Sequence, residues 1–313
     1  MITVFLKVLI IFCMVGVGYA ANKAHILPVE ANQYLISLLL YISIPCMIIS
    51  SMAENPLTAE TKRATLEVFL GTLVFFFFSW GLGLIVVKLL RYEPAKDRGV
   101  LLVLMTSLNT GFMGFPVTDA IFGSQAMYFM VIENCTCTFY LYSLQIMQLN
   151  YGNRKKAHLK ELLRSMCNMC MLSALVGLVI LVTGFRMPDL ALNFFDMMAE
   201  ATVPVSMIVL GIQLGNSDLK GALKNGKLIA VCLASEVLLP VATFLAVNWL
   251  PLTNWAKLIL VFASAFPGAV ISVAVTSREK KNADLMAQGI ALTTLISLAT
   301  LPVAAMLLMA VYR

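Results

Sequence analysis

Charge is what this sequence has least of. Only 12% of its 313 residues are Asp, Glu, Lys or Arg, and histidine occurs twice. With 60% hydrophobic residues and a mean hydropathy of +0.91, a soluble globule could not hide its apolar surface from water. The two histidines, His25 and His158, both fall between apolar runs, and no Asp or Glu pair stands at ligand spacing within a run. That leaves neither a metal set nor a nucleophile with its base at membrane depth, so no enzyme, no metal and no cofactor is expected. A Gly-rich phosphate loop is missing, which excludes an ATP-driven pump. The basic residues form no continuous face, which excludes a nucleic-acid partner. Seven cysteines is an odd number, and Cys13, Cys46, Cys135, Cys137 and Cys232 lie inside apolar runs far from histidine. They read as small core residues, not a disulfide framework or a zinc site; Cys167 and Cys170 have redox spacing but no soluble domain around them.

What is there is apolar sequence in lengths that cross a bilayer. Runs occur near 2–21, 34–53, 68–90, 99–121, 125–148, 166–185, 193–214, 227–248, 256–277 and 285–311. The stretch from Met1 to Ala21 has some features of a signal peptide, but its apolar part is long and it reads as the first span. Ten helices in an all-α integral membrane protein are therefore expected, since a helix satisfies its own backbone in hydrocarbon and the alternation of a β-barrel is absent. If both termini face outward, the inward loops hold Lys23, Lys88, Arg91, Lys96, Arg98, Arg154, Lys155, Lys156, Lys160, Arg164, Lys220, Lys224, Lys227, Arg278, Lys280 and Lys281, which is 16 of the 22 basic residues. Lys7, Lys62, Arg63, Arg186, Lys257 and Arg313 remain outside, and this asymmetry places both ends on the extracytoplasmic face of a cell (inner) membrane.

The most basic loop, about 150–165, divides the chain into residues 1–149 and 166–313, five helices each, which must run in opposite directions. Weak internal similarity supports the division. Ile44-Pro45-Cys46-Met47-Ile48-Ile49 matches Val203-Pro204-Val205-Ser206-Met207-Ile208, and Gly114-Phe115-Pro116 matches Ala265-Phe266-Pro267, at offsets of 159 and 151 residues. Inverted repeats with helix breakers at corresponding places point to a transporter site. Proline removes a donor, and Gly111, Gly114 and Gly268 lower the penalty of non-helical backbone there. A single proline kink usually only shapes packing. Two at equivalent positions, one preceded by Asn109-Thr110-Gly111, instead suggest broken helices in runs four and nine whose half-helix ends favour an anion.

On these residues the chain resembles the auxin efflux carrier family, which includes the plant PIN-type auxin transporters and bacterial carriers of small carboxylates. The likeness spans essentially the whole chain. It is strongest in Asn109-Thr110-Gly111-Phe112-Met113-Gly114-Phe115-Pro116 and in the stretch from Ala265-Phe266-Pro267 through Ala283-Asp284 to Gly289 and Pro302. The resemblance implies a fold like that of the bile acid/sodium symporters, with a scaffold of helices 1, 2, 6 and 7 and a transport domain of helices 3–5 and 8–10. It also implies that Asn109 binds the cargo carboxylate, with Thr110, Gly111, Gly114, Pro116, Ala265, Pro267 and Gly268 around the two crossovers. The implied activity is elevator-type secondary transport of a small mono- or dicarboxylate across a lipid bilayer, by a homodimer. Run three contains no acidic residue from Val68 to Val87 and the central loop is short, so auxin itself fits less well than an aliphatic acid. An anion channel or a membrane sensor on the same fold is the alternative.

Other polar residues at depth divide into two readings. Glu133 with Asn134 is either a proton or sodium coupling site or a carboxyl simply buried, and the two readings stand even. Thr136 and Thr138 could offer hydroxyls to a cation. Glu236 and Glu200 read as structural, and Asp119 and Asp196 as interfacial. Gln145, Gln148, Gln213 and Gln288 are expected to bridge helices. Phe75–Phe78 reads as a packing or lipid-facing run, and Trp249 with Trp255 as an interfacial belt.

Overall fold

The computed structural model describes residues 2–55, 58–142, 144–151 and 169–312. All regular structure among them is helical, and six helical stretches are long and apolar enough to cross a membrane: Glu30–Glu54, Ala59–Leu89, Ala95–Phe122, Asp189–Asn216, Gly226–Asn248 and Ala283–Tyr312. Leu9–Lys23, Met169–Thr183 and Asn254–Ser264 are shorter apolar helices. In chain order the elements are α1 (Ile2–Lys23), α2 (Val29–Leu38), α3 (Ile44–Glu54), α4 (Ala59–Leu89), α5 (Arg98–Thr106), α6 (Phe115–Phe122), α7 (Ser124–Tyr142), α8 (Leu144–Leu149) and α9 (Met169–Thr183). They continue as α10 (Asp189–Glu200), α11 (Thr202–Asn216), α12 (Leu219–Lys224), α13 (Gly226–Leu233), α14 (Leu239–Asn248), α15 (Asn254–Ser264), α16 (Ile271–Arg278) and α17 (Ala283–Tyr312). Most of the central loop, including Cys167 and the basic residues Arg154 to Arg164, lies outside the described residues.

Several helices begin earlier than apolar character alone suggests. α4 starts at Ala59, not near residue 68, because Thr58 caps it by accepting from the Thr61 N–H and Arg63 pairs with Glu67 at 2.7 Å. Hydropathy cannot see this polar first part. α10 likewise begins at Asp189, behind Pro188, so Glu200 stands where α10 gives way to α11 and not near the start of its span. Three π-turns, Leu39–Ser43, Thr110–Gly114 and Ala234–Leu238, each precede a proline at the second position of the next helix: Pro45, Pro116 and Pro240. In each, the residue before the proline donates its N–H five residues back, widening the turn just where the proline ring would crowd a regular one.

Loop contacts gather the helix ends at two poles. At one, Lys23 donates to the Gly215 carbonyl at 2.6 Å, Lys227 to the Arg91 carbonyl at 2.9 Å, and Asn282 to Asp97 at 3.1 Å. At the other, Lys7 reaches the Ala120 carbonyl at 2.9 Å, Arg63 the Pro251 carbonyl at 3.1 Å, and Tyr312 Asn248 at 2.9 Å. Among the described residues, Lys23, Arg91, Lys96, Arg98 and Lys227 belong to the loops and helix ends of the first pole.

Helices meet closely where glycine permits it. α1 and α11 touch backbone to backbone: a Cβ at Gly211 would lie 2.6 Å from the Tyr19 nitrogen and 2.8 Å from the Gly18 carbonyl carbon, and one at Gly18 would overlap Ile208. In hydrocarbon, where apolar surface is not squeezed out of its solvent, such van der Waals contact is the main force between helices. Gly177 sets α9 against Met52 of α3, and Gly99 sets α5 against the Gln148 and Leu149 backbone of α8. α5 is the most enclosed element, every residue from Gly99 to Thr106 being buried. Phe75 and Phe76 are buried while Phe77 and Phe78 are exposed, and Phe76 stacks on Tyr140 at 4.2 Å. Trp249 is exposed; Trp255 instead packs 5.8 Å from Phe129.

Candidate functional site

Two runs are interrupted in their middle, and the interruptions meet. α5 ends at Thr106, after which Ser107 is extended and Asn109 non-helical (φ −86°, ψ 53°); the chain resumes in the Thr110–Gly114 turn and α6. α15 ends at Ser264, and residues 265–270 are non-helical before α16 starts at Ile271. The Asn109 N–H donates to the Pro267 carbonyl at 2.9 Å, joining one break directly to the other. The Asn109 carbonyl accepts from Met113 and Gly114, and the Gly268 N–H donates to the Thr293 hydroxyl of α17 at 3.2 Å. Freed backbone groups are thereby paired inside protein, as membrane depth requires.

The first break lies earlier than Gly-Phe-Pro suggests. Pro116 occupies the second position of α6, where a missing N–H goes unmissed, and the opening is at Ser107–Asn109. Pro267, in contrast, stands within its break, flanked by Ala265 and Gly268. The glycines make room: a Cβ at Gly114 would sit 3.5 Å from the Phe266 ring and one at Gly111 3.5 Å from the Asn134 amide, while at Gly268 it would crowd Ile290 at 3.1 Å. Asn109, Thr110, Gly111, Gly114, Phe266, Pro267, Gly268 and Asn134 therefore belong to one neighbourhood.

Its polar groups are unevenly satisfied. Asn134 donates to the Thr110 hydroxyl at 2.8 Å, turning that side chain toward α7. Asn109, only 3% exposed, has a side-chain nitrogen without a hydrogen-bond partner, and the buried Ser107 hydroxyl has none either. Glu133 is 1% exposed, the Thr110 side chain is beside it, and neither carboxyl oxygen makes a hydrogen bond within normal geometry. Thr136 and Thr138 donate to the Ile132 and Asn134 carbonyls of their own helix. Among the described residues no group of three or more His, Cys, Asp or Glu is placed to hold a metal ion.

Among the described residues, one cavity reaches the second break and another lies apart from both breaks. One, of about 550 Å³, opens at the basic pole; Asn32, Gln213, Asp218, Asp284 and Gln288 line it, and Val270 and Ile290 stand nearest the Gly268 break. The other, of about 360 Å³, opens at the opposite pole beside Glu54, Asp119, Asp196 and Glu200. Asp119 and Asp196 thus line a cavity, and Asp196 accepts from Ser50. Gln288 donates to Asp218 at 3.3 Å, and Gln148 accepts from Thr106 at 2.8 Å and Tyr140 at 2.6 Å, so both bridge elements as expected. Gln145 does not: it is fully buried and both of its polar atoms lack a partner. Glu236 is also buried without a partner, within the Ala234–Leu238 turn. Thr293 was not legible beforehand; a hydroxyl in the apolar run of α17 gives no hint that it receives a freed N–H from another helix.

Known proteins with this sequence pattern share one description. A family model described as membrane transport protein matches residues 3–305. An uncharacterized transporter of Methanocaldococcus jannaschii is 25% identical over 300 residues, covering 93% of this chain and 94% of its own. Another, from Methanothermobacter thermautotrophicus, is 22% identical over 301 residues, covering 94% and 95%.

Proposed function

Since the chain belongs to the membrane transport protein family of auxin-efflux-carrier-like transporters, we propose that it is a secondary carrier moving a small organic anion by alternating access. The observation that carries this reading is the joined pair of breaks with an unpartnered, buried Asn109 amide between them. The half-helices beginning at Thr110 and Ile271 start at these breaks, and the N–H groups of a helix start carry about half a positive charge. Asn109 adds a side-chain donor. Together they suit a carboxylate, with Thr110, Gly111, Gly114, Pro116, Ala265, Pro267 and Gly268 framing the site and Glu133 and Asn134 walling it. The cargo class is a mono- or dicarboxylate such as lactate, malate or malonate, small enough to enter either cavity.

The same reading assigns ten crossings in two inverted sets of five, 1–149 and 166–313, with both termini outside a cell membrane. Close packing of α1 on α11 and of α9 on α3 supports a scaffold of helices 1, 2, 6 and 7. Contacts of α4 with α7 and of α17 with α5 support a separate transport domain of helices 3–5 and 8–10, which would move as an elevator in a homodimer. Purified protein in liposomes, loaded with one acid and given another, tests the proposal: saturable counterflow is expected, whereas flux that neither saturates nor exchanges identifies a channel.

A further inference from the structure

Resting on the carrier reading, we infer that Glu133 is a proton site: it takes up one proton when the cargo carboxylate binds at Asn109 and gives it up when the cargo leaves. Thr110 is next in the chain to Asn109, and its side chain is beside Glu133. An ionised cargo and an ionised Glu133 would thus be two like charges in a site from which water is largely excluded, and such a pair shares a proton.

Among the described residues, no basic side chain is paired with Glu133. The elements packed against α7 are α3, α4, α6, α8, α9, α15 and the Thr110–Gly114 turn. Their charged residues are Glu54 on α3, Glu60, Lys62, Arg63, Glu67 and Lys88 on α4, Asp119 on α6 and Lys257 on α15, and none of them is hydrogen-bonded to Glu133. The titratable neighbours are thiols: Cys135 and Cys137 on α7, and Cys170 of α9 opposite Cys135.

A sodium ion would need a cage of several oxygens held around it at once. Thr136 and Thr138 donate to their own helix, and the Thr110 hydroxyl receives the Asn134 amide. A proton needs only the carboxyl. The step balances simply: Glu133 carboxylate plus one proton from the water-filled side becomes the neutral acid as cargo binds, and the reverse occurs on the far side. One unit of cargo charge is thereby carried across without net charge.

Proteoliposomes containing a pH-reporting dye, given lactate, malate or malonate, test this. The parent should acidify the lumen during net uptake into vesicles that hold no counter-acid, beyond the change in protein-free vesicles, whereas one-for-one exchange moves a proton each way and should leave lumenal pH unchanged. Its affinity should weaken toward tenfold per pH unit once pH rises through the range in which Glu133 of the empty carrier loses its proton, the acid itself staying ionised throughout. Glu133→Gln should lose both the acidification and the pH dependence of binding, the latter read by thermal shift with the same acids, and Glu133→Asp should restore them. Net uptake by the parent without lumenal acidification overturns the proton site and leaves the carrier standing. Acidification and pH dependence kept in Glu133→Gln place the proton on the cargo and also overturn it. Absence of counterflow with all three acids overturns the carrier reading itself.

Discussion

Asn109 is the residue on which the carrier reading is most exposed. An amide N–H donated to a buried carboxylate is a charge-assisted bond of about 1.5 to 3 kcal/mol, so Asn109→Ala should weaken carboxylate binding roughly ten- to a hundred-fold. The melting temperature should stay put, because the nitrogen removed has no partner in the protein and the backbone bond to Pro267 remains. Thermal shift with lactate, malate and malonate measures both quantities. Thr110→Ala should cost binding less, since its hydroxyl is turned to Asn134. Thr293→Val should instead cost stability, about 1 to 3 kcal/mol, by leaving the Gly268 N–H buried without an acceptor. These residues differ in how visible they are in the sequence. Asn109 stands out because an amide in an apolar run beside glycines and a proline has few structural uses. Thr293 does not, because a threonine can always satisfy itself on its own helix, and only the fold shows the second bond it accepts.

Between elements, the contact of α1 with α11 admits no side chain. Gly211→Leu should push the helices apart and lower the melting temperature by an amount corresponding to at least about 1 to 3 kcal/mol, while Gly16→Leu on α1, with open space around its Cα, should be neutral. Thermal unfolding in detergent compares the two directly. The apolar runs locate the helical stretches well because hydropathy reports burial in hydrocarbon or protein alike. They misplace the ends of α4 and α10, which are fixed by a capping threonine and by Pro188, signals of hydrogen bonding and backbone restriction instead of hydropathy. Proline positions are legible as well, yet their meaning is not: Pro45, Pro116 and Pro240 begin helices after a widened turn, whereas Pro267 stands inside a break.

For the whole molecule, the distribution of basic residues predicts its direction. In a Cys-less background, a cysteine at position 155 should be labelled from the cytoplasmic side, and one at position 250, between α14 and α15, from outside. Labelling of position 155 by an impermeant reagent in intact cells would reverse the assignment. No Lys or Arg occurs from Leu101 to Tyr151 or from Leu258 to Ser277, so helix starts have to balance the cargo charge. Replacing sodium by choline at fixed pH should therefore leave uptake unchanged, as a radiolabelled-acid assay can show. The hydrogen bond from Asn109 to Pro267 also has a genetic consequence. The two halves of the chain share one joint, so neither can change its break alone. A damaging substitution near residue 109 should be rescued by second-site changes around 265–268, more than 150 positions away, more often than by changes in adjacent turns. A selection for regained growth on a transported acid would reveal that long-range pairing in the spectrum of revertants.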